Sequence, residues 1–420
     1  MSLRCLTVLL LFSLLACKAV PQTMSRAEPG EPVFERLRLT DVQRPAEYSF
    51  QRLSLKDYAD YLPDTLRPEL LPTRRLRLNY HVMNTSDTLF PMTGKRAYDY
   101  VYALAASSNK KLRQNMASWL TPDSLSIPVL PAQIELLVAL DPQTDEPAIY
   151  EHFDDELYAY VHDGPKRNRS DMTVVRKYNV RPESELNIYF MGPPRETIKE
   201  LGKPGNSGSG IYLGSAIKVT DVLSRDVPPW SIRQILTHEV GHALGLQHAW
   251  TSNDGCPDTP RHANNSWKAP ERGPGLTSNN LMDYSPNQVA LTPCQIGRMQ
   301  VTLADVTRQQ RGWVIEDWCD YQPQRPVVID RDTELLGARD FASDIEVRTG
   351  ATLTVNNRLH LPAGAVIRVS PGATLILGPK AVIHNDCGAA WGGIELGRAA
   401  GAADGRVVAD PAATLLNELP

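Results

Sequence analysis

His238-Glu239-Val240-Gly241-His242-Ala243-Leu244-Gly245-Leu246-Gln247-His248 has the form H-E-x-x-H-x-x-G-x-x-H. On a helix, residues four apart share a face, with Cβ atoms roughly 5–6 Å apart. His238 and His242 therefore reach one metal from one side. Glu239 sits beside the first histidine, where it meets water at the metal without ligating it. Gly245 lets the chain leave the helix through a left-handed conformation that residues with a Cβ resist. That turn brings His248 back to the same ion. Three histidines leave one tetrahedral position open, the arrangement of a catalytic zinc and not of a closed structural one.

Outward from this stretch, the flanks read as helix. Ser231-x-x-Gln234 offers a capping box just after Pro228 and Pro229. Ile232, Ile235, Leu236, Val240, Ala243 and Leu244 recur at helical spacing, so one face is buried. The histidines lie off that stripe and face a cleft.

The chain has 420 residues, 42% of them hydrophobic, with 44 basic against 48 acidic side chains. That is room for two or three domains. No basic stripe with interleaved aromatics marks a nucleic-acid partner. Arg4 followed by the apolar run Leu6 to Leu15 reads as an export signal, too short to span a bilayer. Its end, Leu14-Leu15-Ala16-Cys17, resembles the bacterial lipobox. By that resemblance residues 1–17 form a lipoprotein signal and Cys17 is the lipidated anchor. The protein would then be an exported cell-envelope lipoprotein, on the outer membrane or cell surface, or be secreted after processing. Cys256, Cys294, Cys319 and Cys387 remain, and an exported protein can oxidise them. Four cysteines allow three pairings. Cys256 with Cys294 is favoured because both flank the active-site segment.

Residues 18–72 are rich in proline and charge and read as a spacer or pro-segment. As a pro-segment, Asp41, Asp57 or Asp60 would block the metal, and cleavage near Arg74-Arg75 would release the enzyme. A catalytic domain is expected over 73–320. Leu76, Leu78, Tyr80 and Val82 alternate as a half-buried strand. Arg96 to Trp119 has helical spacing, and Tyr98, Val101, Tyr102, Leu104 and Ala105 fall on one side. Ile134 to Leu140 and Leu186 to Met191 have strand length. Gly202 to Gly214 reads as a glycine-rich loop, and Gly214 to Thr220 as the strand before the metal helix. The remaining histidines His81, His152 and His262 read as structural or surface groups. Strands with one long helix before the metal helix imply an α/β domain with a mixed sheet. From 325 to 420, Gly350-Ala-Thr-Leu-Thr-Val, Gly364-Ala-Val-Ile-Arg-Val and Gly372-Ala-Thr-Leu-Ile-Leu repeat, with Gly350 and Gly372 one 22-residue step apart. Trp391-Gly-Gly-Ile-Glu-Leu continues them. This predicts an all-β module, a short parallel β-solenoid, against a small β-sandwich as the alternative.

After the metal helix come Asn253-Asp254-Gly255-Cys256-Pro257-Asp258-Thr259-Pro260 and Asn280-Leu281-Met282-Asp283-Tyr284-Ser285. With the zinc motif, these resemble the pappalysin branch of the metzincin metallopeptidases. The resemblance runs from about 73 to 318, and its specific motifs lie after 238. It implies a metzincin-type catalytic domain in which a sheet-edge strand, placed at Gly214 to Val219, holds the substrate backbone. Met282 would pack its thioether beneath the histidines, and the Tyr284 hydroxyl would stabilise the oxyanion. Asp254, Asp258 and Thr259 would hold calcium, although the same oxygens suit a hydrogen-bonded turn. Cys256 and Cys294 do not fall at the family's disulfide positions, so that map does not transfer. Ser285-Pro286-Asn287 carries no acid, which leaves a preference for arginine unsupported.

The expectation is a secreted or surface-anchored zinc endopeptidase acting on proteins and peptides through a zinc-bound water, with Glu239 as general base. The competing class is a surface adhesion or binding protein, in which the solenoid takes a glycan or cell-surface partner.

Overall fold

The computed structural model describes residues 32–37, 52–87, 92–122, 125–162, 164–195, 209–220, 222–223, 227–250, 254–259, 278–285 and 287–416. Cys17, Asp41 and His262 lie outside them. The first strand, β1 (Val33–Leu37), belongs to the C-terminal module.

The alternating run Leu76, Leu78, Tyr80, Val82 is fully buried along β2 (Arg74–Asn84), the longest strand of the catalytic domain. Its one edge pairs first with β3 (Ile134–Val138) and then with β4 (Ile149–Phe153). Its other edge pairs with β5 (Leu186–Phe190), and β5 in turn with β7 (Ala216–Val219). All of these pairings are parallel. The last strand, β6 (Gly210–Leu213), runs antiparallel to β7 and forms the edge. The sheet is therefore mixed, as expected, but the edge strand is not the expected one. Gly214 to Val219 contributes β7, which is paired on both sides, and the edge is β6. Gly214-Ser215, with Gly214 at φ +71°, makes the two-residue hairpin between them.

Helix α1 (Gly94–Arg113) packs on one sheet face through Ala97, Val101, Leu104 and Leu112. It ends six residues before Trp119, and Tyr102 is exposed. Asn115 fixes the exit: its amide donates to the carbonyls of Leu130 and Leu291 and accepts from Leu291 N–H. The short α2 (Thr173–Tyr178) precedes β5. The metal helix α3 (Pro229–Ala243) lies beside α1. Its start differs from the expected capping box. Pro229 is the first helical residue, and Ser231 Oγ donates back to the Pro228 carbonyl at 2.8 Å. Helix α4 (Pro293–Ala304) is the one with a capping box, made by Thr292 and Gln295. The short α5 (Gln309–Gly312) follows.

The C-terminal module is three parallel sheets wound as successive coils. One contains β8 (Val327–Ile329), β11 (Ile345–Val347), β14 (Val366–Val369) and β17 (Gly393–Arg398). The second contains β9 (Thr333–Leu335), β12 (Thr352–Val355), β15 (Thr374–Leu377) and β18 (Arg406–Ala409). The third contains β10 (Arg339–Asp340), β13 (Arg358–His360), β16 (Val382–His384) and β19 (Thr414–Leu415). Ile345 pairs with Ile367 and Leu353 with Leu375, the 22-residue step of the sequence repeat. Inward aliphatics such as Ile345, Leu353, Leu359, Ile367, Leu375 and Ile383 stack into one core. Strand β1 adds antiparallel to β17 at the end of its sheet.

Residues 52–73 do not hang free as a spacer; they pack between the modules. The 3-10 turn Leu55–Tyr61 lies so close to α4 that a Cβ on Gly297 would strike the Tyr58 carbonyl at 2.3 Å. Tyr61 hydroxyl accepts from Ala338 N–H, and Leu70 enters the solenoid core. Asp57 caps its own turn by accepting from Ser54 N–H, and the Asp60 carbonyl accepts from Arg339. Among the described residues, neither aspartate joins the metal-site histidines. Arg74 and Arg75 are the first residues of β2, and Arg74 is buried, so cleavage there would cut the sheet.

Asp340 joins the modules electrostatically. Fully buried, it meets Arg74 at 2.6 Å, Arg311 at 2.8 Å and Arg358. Burial alone would push its carboxyl up. The three guanidinium groups, Arg311 foremost, overcome that and hold it well below the carboxylate range.

Candidate active site

Helix α3 presents His238 and His242 from one face, and the chain then leaves through Gly245 at φ +89°. The left-handed step follows Leu244 N–H donating to the Val240 carbonyl and precedes Leu246 N–H donating to that of Gly241. This exit returns His248 to the helix. The three Nε2 atoms converge: His238 to His242 3.1 Å, His242 to His248 3.1 Å, and His238 to His248 3.3 Å. Nitrogens bound to one tetrahedral zinc at about 2.0–2.1 Å stand about 3.3–3.4 Å apart.

The proton positions support the same fit. His238 Nδ1 lies 2.8 Å from the Leu281 carbonyl, and His242 Nδ1 lies 3.0 Å from that of Leu246. A carbonyl only accepts, so each Nδ1 carries the hydrogen and each Nε2 turns a lone pair inward. Burial pushes His238 down to about 3 and His248 down to about 4, and it lowers His242 as well. All three are therefore neutral at pH 7. Neutral nitrogens facing one another at 3.1–3.3 Å leave a cation as the group that satisfies them.

Glu239 is buried beside this triad. Burial pushes its carboxyl up to about 7, partly offset by a hydrogen bond from Tyr212 N–H. Tyr212 lies on the edge strand β6. A Cβ on Gly210 would fall 2.7 Å from Glu239 Cγ, so only glycine lets this strand cross the glutamate so closely. These edge residues were missed in the sequence, where Gly202 to Gly214 reads as a loop. The signal was present: Ile211-Tyr212-Leu213 ends in Gly-Ser, a two-residue hairpin turn.

Beneath the histidines, Met282 is fully buried and its Sδ occupies the place where a Cβ on Gly241 would stand. Met282 N–H donates to Asn280 Oδ1, and Asn280 exchanges amide hydrogen bonds with Gln295 of the α4 capping box. Met282 O accepts from Ala249 N–H just after the third histidine. The turn is thereby tied to both helices. Tyr284 is half exposed, its ring 5.0 Å from that of His248 and 5.8 Å from that of His238. Burial pushes its hydroxyl up, and the charge of Glu239 adds to the shift. His248 stacks on Trp250 at 4.0 Å.

Among the described residues, hydrogen bonds hold the Asp254 loop. Asp254 accepts from Cys256 N–H and from the Thr259 hydroxyl, and Asp258 accepts from Cys294 N–H. The Arg298 guanidinium, which donates to the Gly255 carbonyl, supplies the positive charge beside Asp254. This is the hydrogen-bonded turn, closed by the disulfide Cys256–Cys294. A second disulfide joins Cys319 to Cys387. Buried His81 and half-buried His152 form a pair, Nδ1 to Nε2 2.9 Å, on β2 and β4 and away from the triad.

Residues 223–304 match the family model Peptidase_M43, described as pregnancy-associated plasma protein-A. Comparison with curated proteins returns no match. Among solved structures, mature mirolysin of Tannerella forsythia in complex with a cleaved peptide is 17% identical, with a TM-score of 0.40, over 58% of this chain and 96% of that one. A promirolysin mutant from the same organism is 17% identical, with a TM-score of 0.39, over 61% of this chain and 88% of that one. Over residues 223–304, which carry the zinc motif and the Met282 turn, this chain is therefore similar to the pappalysin-like metzincin metallopeptidases.

Proposed function

We propose that this metallopeptidase is an exported zinc endopeptidase that cleaves extended protein segments laid along β6. The observation that carries the reading is the convergence of three neutral imidazoles with a buried glutamate at their side. His238, His242 and His248 would hold the zinc. When bound, zinc supplies Lewis acidity, which acidifies water and polarises a carbonyl. The β6 edge offers backbone groups that pair with an extended substrate. Glu239, poised near neutral pH, takes a proton from the attacking water and delivers it to the leaving amine nitrogen. The Tyr284 hydroxyl donates to the substrate carbonyl oxygen as negative charge develops there.

Export rests on Arg4 to Cys17, with Cys17 as the proposed lipid anchor to a membrane surface. No helix among the described residues is long and apolar enough to cross a membrane. The alternative, a surface binding protein working through its solenoid, gives no role to a buried Glu239. The test is cleavage of a mixed peptide library by the full chain, with and without a chelator, beside Glu239→Ala. Chelator-sensitive cleavage that falls about 10²–10⁴-fold in the variant, with zinc retained, supports the proposal. Full activity in the variant would refute it.

A further inference from the structure

A second group of ligand atoms lies where the two modules meet. Cys319 ends the 3-10 turn Asp317–Cys319 of the catalytic domain. Cys387 follows β16 of the solenoid, and Asp386 precedes it. His360 ends β13 and is fully buried. Its Nε2 lies 2.9 Å from Asp386 Oδ1 and 3.3 Å from Cys387 Sγ. Asp386 Oδ1 lies 3.7 Å from Cys387 Sγ. One atom from each of the four residues falls within 4.8 Å of every other. His360 Nδ1 is buried without a hydrogen-bond partner, so the polar contacts of this ring are those Nε2 makes in the cluster.

Two sulfurs, one imidazole nitrogen and one carboxylate oxygen are a zinc donor set. About a tetrahedral zinc, sulfurs at 2.3 Å stand about 3.8 Å apart, and nitrogen and oxygen about 3.3 Å apart. The His360, Asp386 and Cys387 atoms already stand at 2.9–3.7 Å from one another. Only the two sulfurs must part, by less than about 2 Å once their bond is broken. The cysteine Cα atoms, 5.6 Å apart, need no large shift for that. Asp386, with its side chain half exposed, leaves the cluster a path to solvent.

We propose that Cys319, His360, Asp386 and Cys387 form a redox-gated zinc site: a disulfide when oxidised, a four-ligand structural zinc site when reduced. A dithiol reductant delivers two electrons and two protons to the Cys319–Cys387 bond. The S–S bond breaks, two thiols form, and the reductant closes to its own disulfide. Zinc binding then releases both thiol protons to solvent. Either state clamps the end of the catalytic domain to the solenoid. The proposal does not depend on the peptidase reading, because the histidine triad contains no sulfur.

The test uses the full chain, reduced with a dithiol, freed of it, and titrated with Co²⁺ in place of zinc. Thiolate-to-cobalt charge-transfer absorption is expected only after reduction. His360→Gln, which leaves both cysteines in place, should weaken that cobalt by at least the roughly 10–100-fold that an outer-shell partner is worth. Zinc should also slow alkylation of Cys319 and Cys387, read residue by residue by mass spectrometry. A sulfur–cobalt band untouched by His360→Gln would assign the metal to Cys256 and Cys294 and overturn the proposal. Equal alkylation of Cys319 and Cys387 with and without zinc would overturn it as well.

Discussion

Two buried clusters of charged or metal-binding side chains organise this molecule, and they solve opposite problems. At the junction, Asp340 is surrounded by Arg74, Arg311 and Arg358, so the protein supplies both signs of charge. At the cleft, His238, His242 and His248 bring their Nε2 atoms together, and the Nδ1 hydrogens of His238 and His242 are committed to carbonyls. The first cluster is complete in itself. The second is complete only with a cation. Side-chain convergence alone therefore does not mark a functional site; convergence that leaves one sign of charge unanswered does.

Breaking the junction should cost the most stability. Asp340→Asn leaves three buried guanidinium groups without their carboxylate, and removing one partner of such a set costs about 3–5 kcal/mol. Denaturant unfolding should show that loss, while kcat of the folded fraction stays near wild type. A variant of normal stability would break the contrast. At the cleft the reverse is expected. Tyr284→Phe should lower kcat by about 10²–10³-fold, the worth of one oxyanion donor, with stability and zinc content unchanged. A change confined to KM would remove Tyr284 from the reacting atoms.

A smaller effect should come from the floor of the cleft. Gly241→Ala places a Cβ against Met282 Sδ, and overpacking of this kind costs about 1–3 kcal/mol. Zinc affinity should fall with stability, since Met282 lies under the histidines. Affinity that holds while stability falls would separate the Met turn from the metal.

The last effect is close to zero at neutral pH and appears only on acidification. Burial pushes His81 down to about 3, so this imidazole stays neutral in the folded protein while the unfolded chain protonates near pH 6.5. The unfolded state then binds more protons, and stability falls as pH drops from about 6.5 towards 3. His81→Asn should remove about 1.4 kcal/mol per pH unit from the slope of stability against pH in that window. An unchanged slope would show that other groups set it.

The sequence carried the cleft better than the junction, for a physical reason. His238, Glu239, His242, Gly245 and His248 lie within one helix and one turn, so local spacing fixes their geometry. Met282 and Tyr284 were reachable because their short turn has its own residue pattern. The solenoid was legible because its step is periodic: Leu353 and Leu375 stack as the repeat requires. Asp340 and its arginines were not legible, since β2, α5 and β13 bring them together from distant parts of the chain. The β6 edge was hidden differently. The glycines around it signal a loop in most contexts, and here Gly210 permits close approach to Glu239. Residues 52–73 looked like a spacer because they bury their side chains against two modules at once and so show no period of their own.

The most direct test of the central claim is X-ray absorption at the zinc edge, on the oxidised full chain loaded with one equivalent of zinc. The account predicts three imidazole nitrogens and one further oxygen at about 2.0–2.1 Å, with no sulfur. Sulfur at about 2.3 Å, or a shell with fewer than three imidazoles, would contradict it.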